Sequence, residues 1–202
     1  RGLVREVGVG PSVGGKPPIL LDLDDQLYAV LGVQLIRDGF RIAALSLHGR
    51  IIEQHDEVGD PEKMIEALVP AVRKIADGLD RSVLAVGIAV PGVIDHRGMI
   101  ARSVLLQRTD FDLGGWLGER LGYPVYLVND SDACALAEVA LSDEPAPTLM
   151  ALYVGDGVGA GLVLSGSLFQ GENFGAGEVG HLNLRTHRLR CECGRVGCLE
   201  PA

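Results

Sequence analysis

With 202 residues, 47% hydrophobic and 22% charged, the chain can bury one sizeable core or two modest ones, and its formal net charge of −9 disfavours direct binding to a phosphate backbone, a contact made mainly by Lys and Arg. The apolar runs are strand-length and broken by Gly or Pro, far short of a membrane span, and Arg1 is followed by GLVREVGVG rather than by the long apolar segment of a signal peptide. A soluble globular protein of the cytoplasm is expected.

The opening stretch carries Gly14, Gly15, Pro17 and Pro18 and has no helical period, so residues 1–24 read as a linker feeding an extended segment. Three strand-like runs follow, Leu27 to Gln34, Phe40 to Leu47 and Ile51 to Glu57, separated by turns at Arg37-Asp38-Gly39 and His48-Gly49, the pattern of an antiparallel meander. From Pro61 to Leu79, the residues Met64, Ile65, Leu68, Val69, Val72, Ile75, Ala76 and Leu79 share one face at helical spacing, with Pro61 in the first turn and Gly78 near the end. A strand at Val83 to Val90, a short helix around Leu113 to Leu121, a strand at Val125 to Val128 and a helix from Ala133 to Leu141 complete a β-β-β-α-β-α-β-α order. That order fits a mixed sheet covered by helices. After the loop Ser142 to Thr148, a new hairpin pattern begins at Leu149 to Val154 and returns through Leu162 to Leu164. The chain is therefore divided into a first lobe at 25–148 and the start of a second at 149–202, with too little sequence after the hairpin for a full second sheet.

The most specific pattern is His181-x9-Cys191-x-Cys193-x4-Cys198. Three thiolates and one imidazole make a closed tetrahedral set for structural zinc, with no open position for catalysis, and clustered cysteines in a cytosolic setting favour a metal over disulfides. Gly194 and Gly197 allow tight turns between the sulfurs. On spacing alone His187 competes with His181 for the fourth position.

Three further motifs admit two readings each. The glycines at 155, 157, 159 and 161 suit either close backbone approach to a phosphate or sugar, or a tight hairpin with small residues facing a partner element. At Val128-Asn129-Asp130-Ser131-Asp132 an apolar strand ends in carboxylates before a helix, a place for a ligand hydroxyl or a general base. The alternative there is that Asp130 or Asp132 caps the helix, with Asp132 the better cap candidate. In Gly177-Glu178-Val179-Gly180-His181, a carboxylate three residues before a possible metal ligand would be held rigidly for sugar recognition, or would be a solvated loop glutamate.

Together these residues resemble the ROK family, whose name joins repressors, open reading frames and kinases. The similarity runs through Val154, Gly157, Val158, Gly159, Gly161, Leu162, Gly171, Gly177, Gly180 and His181, then through CECGRVGCLE with Glu200 two residues after the last cysteine. VGIAVPGVID, PVYLVNDSD and GPSVGGKPP also have family counterparts. The resemblance implies an α/β actin-like, ribonuclease H-like sugar-kinase fold, with the first lobe complete and the second truncated. It implies sugar contacts at Asn129, Asp130, Glu178, His181 and Glu200, with Gly92 a weaker addition, and zinc on His181, Cys191, Cys193 and Cys198. In the family's kinases, the aspartate matching Asp130 takes the proton from the sugar hydroxyl.

Departures from the kinase pattern point to the transcriptional-regulator branch. The kinases open with a D-x-G-G-T-K loop for ATP phosphates, whereas Gln34-Leu35-Ile36-Arg37-Asp38-Gly39 stands here, with a β-branched residue that blocks backbone approach and an aspartate that repels a triphosphate. GLVREVGVGPSVGGKPP resembles the joint that follows a winged helix-turn-helix in ROK repressors. The expectation is therefore a non-enzymatic, sugar-sensing effector domain that binds DNA only through a segment outside this chain and assembles as a homodimer or homotetramer. An ATP-dependent glucokinase-like sugar kinase is the alternative. Between Gly92 and Asn129 the segment ARSVLLQRTDFDL departs from the usual asparagine-containing pattern, so the sequence does not specify the sugar.

Overall fold

The structure is a computed structural model that describes residues 2–12, 14–144 and 146–202. Its elements in chain order are β1 (Val4–Val9), β2 (Ile19–Leu23), β3 (Tyr28–Ile36), β4 (Gly39–Leu45), β5 (Ile51–Val58), α1 (Pro61–Gly78), β6 (Ser82–Val90), β7 (Val93–Ile94), β8 (Ile100–Ser103), β9 (Arg108–Phe111), α2 (Leu113–Leu121), β10 (Val125–Asn129), α3 (Asp130–Leu141), β11 (Leu149–Val154), β12 (Val158–Leu164) and β13 (Ser167–Leu168). A 3-10 turn follows at Val179–His181.

The largest sheet has the order β10-β6-β3-β4-β5, antiparallel through the β3–β4–β5 meander and parallel where β6 joins β3 and β10 joins β6. Strict alternation on β3 puts Ala29, Leu31, Val33 and Leu35 inside, where they meet Phe40, Ile42 and Ala44 of β4 and Val86, Ile88 and Val90 of β6. The helical stripe Met64, Leu68, Val72, Ile75 of α1 and Leu113, Leu117, Leu121 of α2 close this core. Asp112 caps α2 by accepting the Gly115 N–H at 2.8 Å, and Gly122 ends it in the left-handed region at φ 77°.

The meander, α1, β6, α2 and β10 lie within a residue or two of their sequence-predicted spans. Helix α3 starts a turn earlier than Ala133 because Asn129 caps it. The stretch read as a linker contains the antiparallel pair β1–β2, which has a bulge between Glu6 and Gly8. Its apolar residues, including Val4, Val9, Leu20 and Leu21, are exposed. His48 ties this ribbon to the β4–β5 turn, with Nδ1 2.7 Å from Asp25 Oδ2 and Nε2 3.0 Å from Asp22 Oδ1. The sheet β7-β8-β9 was also not anticipated from sequence; its strands are only two to four residues long.

The sheet β11-β12-β13 lays one face on α3. Its other face leaves Met150, Leu152 and Val154 60–69% exposed. Helix α3 also contacts β10 and β6 of the largest sheet and thus stands between the two sheets. Among the described residues, no helix is long and apolar enough to cross a membrane.

Candidate functional site

Strand β10 delivers Asn129 and Asp130 to the junction with α3. The Asn129 side chain accepts the N–H groups of Ser131 at 2.9 Å and Asp132 at 3.1 Å, and donates to the Gly92 carbonyl at 2.9 Å. Asn129 is therefore the helix cap, and the expectation that Asp130 or Asp132 fills that role is corrected. Both aspartates are freed for other contacts. Gly92 sits at φ 144°, and a Cβ there would run into the Arg102 carbonyl of β8, so only glycine lets the β6–β7 turn lie against β8 and present its carbonyl to Asn129.

Asp130 opens the helix and accepts the Ser131 N–H at 2.8 Å. Burial holds its carboxyl above the usual range against these hydrogen bonds. Asp132 is 5% exposed, is pushed up by burial, and accepts from Gln170 Nε2 at 3.0 Å. Gln170, on the loop after β13, is a bridge to α3 that sequence reasoning missed; a lone glutamine after a short strand carries no pattern.

The glycine-rich hairpin is explained by packing. A Cβ on Gly159 or Gly161 would strike Ser131 of α3, and one on Gly157 would press on Glu200 Oε2. Small residues here admit α3 and Glu200, which is the second of the two sequence readings. Glu200 Oε2 accepts the Val158 N–H at 3.1 Å, and its backbone N–H donates to the Gly180 carbonyl at 2.9 Å. The Glu178-containing loop is laid flat on β12 in the same way. The carbonyl of Gly177, at φ 85°, accepts the Ala160 N–H at 2.8 Å, and a Cβ there would collide with the Ala160 carbonyl.

Asn129, Asp130, Glu178 and Glu200 are thereby assembled around one region. Burial raises the Glu178 carboxyl; His181 opposes this and the charges of Asp130, Glu200 and Asp132 reinforce it, so Glu178 senses the other three carboxylates across the α3–loop boundary.

Next to them, the side chains of His181, Cys191, Cys193 and Cys198 place one ligand atom each within 4.8 Å of all the others. Cys193 Sγ and Cys198 Sγ are 3.8 Å apart, and Cys191 Sγ is 3.6 Å from His181 Nδ1. A tetrahedral ion with metal–sulfur bonds of about 2.3 Å and a metal–nitrogen bond of about 2.0 Å requires sulfur–sulfur edges of about 3.8 Å and sulfur–nitrogen edges of about 3.6 Å. The donor set fits a metal. His181 Nε2 lies 3.7 Å from Glu178 Oε2, which orients the ring with Nδ1 toward the sulfurs. His187 Nδ1 instead accepts the Leu189 N–H at 3.2 Å. Burial pushes the Cys191 thiol up to about 12, whereas Arg195 and its N–H bring Cys193 down to about 6 against burial. Cys134, on α3, stands apart from this cluster.

The β3–β4 turn faces the same loop. It is a two-residue hairpin turn at Arg37-Asp38, with Ile36 paired to Gly39. Arg37 N–H donates to Asp156 Oδ2 at 3.2 Å, and its guanidinium forms a fork on Glu192 at 3.0 and 3.2 Å. On the other side, His96 stacks on Phe174 with ring centroids 5.5 Å apart.

Comparison with known proteins places this geometry. The chain is 32% identical over 98% of its length to the xylose repressor of Caldicellulosiruptor bescii, and 28% identical over 99% to the N-acetylglucosamine repressor of Escherichia coli O157:H7. It spans about half the length of each, 52% and 51%. Among solved structures, a ROK family glucokinase from Streptomyces griseus in complex with glucose and AMPPNP superposes with a TM-score of 0.77 at 26% identity, covering 84% of this chain and 55% of that one. A ROK family transcriptional regulator homologous to the E. coli MLC protein superposes at 0.76 and 25% identity, covering 98% and 52%. The α/β fold is that of the actin-like ROK sugar kinases and repressors. Residues 30–202, from near the start of β3 to the end of the cysteine-rich loop, match the family pattern, and the chain belongs to the ROK family, with relatives among its transcriptional regulators.

Proposed function

We propose that this chain is the sugar-sensing effector part of a ROK transcriptional repressor, in which a bound monosaccharide or derivative alters DNA binding by a segment outside these 202 residues. The observation that carries the reading is the β3–β4 turn. Ile36 is paired in the ladder, Arg37 N–H is already taken by the Asp156 carboxylate, and Asp38 adds a further negative charge. A triphosphate would meet a bulky Ile36, an Arg37 N–H already engaged and the Asp38 carboxylate there, and phosphoryl transfer depends on backbone positioning and charge neutralisation.

The sugar site on this reading consists of Asn129, Asp130, Glu178, His181 and Glu200. Carboxylates are acceptors only, so they suit hydroxyl donors. The net charge of −9 supports DNA contact elsewhere in the protein, and the reading includes a cytoplasmic homodimer or homotetramer, closed symmetric assemblies being the common form of soluble oligomers. His181, Cys191, Cys193 and Cys198 would hold structural zinc. Such an ion would close the loop and offer no open position, and Glu178 and Glu200, three and two positions from His181 and Cys198, would take their placement from it.

Titration calorimetry with a panel of pentoses, hexoses and amino sugars, each with and without ATP and magnesium, tests the proposal. Binding of a sugar with no heat from ATP and no turnover in a coupled assay is expected. Sugar-dependent ATP consumption that vanishes in Asp130→Asn would establish the second reading, a glucokinase-like enzyme. One observation favours that reading: Asp130 is a buried carboxyl with a raised pKa at a strand–helix junction, the environment of a general base.

A further inference from the structure

Among the described residues, four hydrogen bonds join the β3–β4 turn and β8 to the β11–β12 turn and the cysteine-rich loop: the two of the Arg37 guanidinium fork on Glu192, the Arg37 N–H on Asp156, and Arg102 Nη2 on the Cys193 carbonyl at 3.4 Å. Three of them come from Arg37. Glu192 stands between Cys191 and Cys193, two of the four residues of the metal cluster. Asp156 occupies the hairpin tip, close in sequence to the Val158 N–H that holds Glu200.

We propose that Arg37 is a positioning residue that couples metal loading of the cysteine cluster to the spacing between the two halves of the sugar site. The proposal rests on the metal reading above. An ion on Cys191 and Cys193 fixes the backbone on both sides of Glu192, leaving its carboxylate few places to go. Without the ion, Gly194 at φ 90° and Gly197 at φ 86° give the loop many alternative paths. The planar guanidinium then transmits orientation as well as attraction, because two parallel bonds to one carboxylate fix an angle where one would not.

Through this link the β3–β4 turn, and with it the sheet that ends in Asn129 and leads into Asp130, is registered against the segments that carry Glu178 and Glu200. Two of the chain's own carboxylates, Asp156 and Glu192, serve as the anionic partners of the turn. Arg37 and Asp38 are thus more than losses from a nucleotide loop: the turn has acquired an internal ligand. The Arg37 and Glu192 side chains are 49% and 61% exposed, so the pair contributes little to global stability. Its effect is local order, a change of about threefold to fivefold in opening at the turn.

The experiment is hydrogen exchange of the full 202-residue chain at residues 36–39, with zinc content measured on the same samples. Chelation is expected to release zinc and speed exchange at the Arg37 amide about fivefold. Glu192→Ala should give the same acceleration with zinc still at full occupancy. The charge-swapped pair Arg37→Glu with Glu192→Arg should restore slow exchange that neither single variant shows. Unchanged exchange at 36–39 after zinc has left, or a Glu192→Ala protein that still responds fully to chelation, overturns the coupling while leaving the metal site standing. Failure of the chain to bind zinc at all overturns the metal reading, and the coupling falls with it; the zinc measurement separates the two cases.

Discussion

Asn129→Ala is the substitution for which the structure gives the clearest magnitude. The side chain caps α3 through two N–H bonds, at 2.9 and 3.1 Å, and holds the Gly92 carbonyl at 2.9 Å. Loss of a cap costs about 1 kcal/mol, and loss of a part-buried hydrogen bond about 1 kcal/mol more. A destabilisation of about 2 kcal/mol is expected, which in a chain of this size lowers Tm by about 4–8 °C. Asn129→Asp separates the two roles: the retained oxygen still accepts from Ser131 and Asp132 and its charge suits the helix N-terminus, but the donor to Gly92 is gone and two oxygens face each other. It should lose about 1 kcal/mol. Urea unfolding of both variants, read as midpoint and slope, is the assay. Zinc content should be unchanged in both, since Asn129 does not touch the cluster. A loss below about 0.5 kcal/mol in Asn129→Ala, or an Asn129→Asp protein less stable than Asn129→Ala, would refute the assignment of the cap and the Gly92 bond to one side chain.

Gly177→Ala combines a left-handed φ with a Cβ driven into the Ala160 carbonyl; it should cost about 2 kcal/mol or more and lower zinc affinity, measured by thermal unfolding and by competition with a chelating dye. Asp130→Asn should raise Tm at neutral pH while removing sugar binding. Burial lifts the native Asp130 pKa above 3.8, so the charged form is disfavoured in the fold and the gain should vanish as pH falls through the native pKa; equal Tm shifts at pH 7.5 and pH 3.5 would contradict this. The β1–β2 ribbon should be most protected between two limits. Asp25 and Asp22 hold His48 above 6.5, so that contribution is present at lower pH and lost as pH rises through the native His48 pKa. Asp22 and Asp25 are lowered below 3.8, and their share is lost as pH falls through those values; exchange in the ribbon of His48→Gln should lack the alkaline limb.

Much of this was legible in the sequence for physical reasons. The β3 alternation and the α1 stripe are local and strong, and they fix both the faces and the spans of the meander and its covering helix. The cysteine cluster was legible because three cysteines in eight residues have few structural explanations, although only the fold brings His181 Nδ1 to the sulfurs and turns His187 away. The capping order at Asn129-Asp130-Ser131-Asp132 was not, since all four polar residues are good caps and the Gly92 carbonyl that selects Asn129 lies 37 positions away. Likewise Gly159 and Gly161 look like a ligand loop until Ser131 is placed against them. The ribbon β1–β2 was hidden because Gly14, Gly15, Pro17 and Pro18 dominate its composition, and the Glu6/Gly8 bulge interrupts the alternation. Arg37 with Glu192 spans 155 positions, beyond any pattern a linear reading detects.

The charges around the proposed sugar site bear on what can enter it. Asp130, Asp132 and Glu178 are each lifted mainly by burial, and Glu178 is lifted further by Asp130, Glu200 and Asp132. Each carboxylate has been partly removed from water, and all are acceptors, so the region gains most from a ligand that brings O–H or N–H donors and no negative charge. A neutral sugar meets that requirement; its hydroxyls can replace the lost water on Asp130 and Glu178 together. A sugar acid would add a carboxylate to this group, and at an effective dielectric of about 20 one further like charge at about 6 Å costs on the order of 2–3 kcal/mol before screening. Because the donors must reach residues on both sides of the α3–loop boundary, the preference acts on the arrangement that keeps them close, which is the differential affinity an inducer needs. Calorimetry should therefore find the neutral sugar bound at least about tenfold more tightly than its uronic acid, with the gap narrowing as salt is raised. Equal affinity for the pair at low salt would show that these carboxylates do not face the ligand.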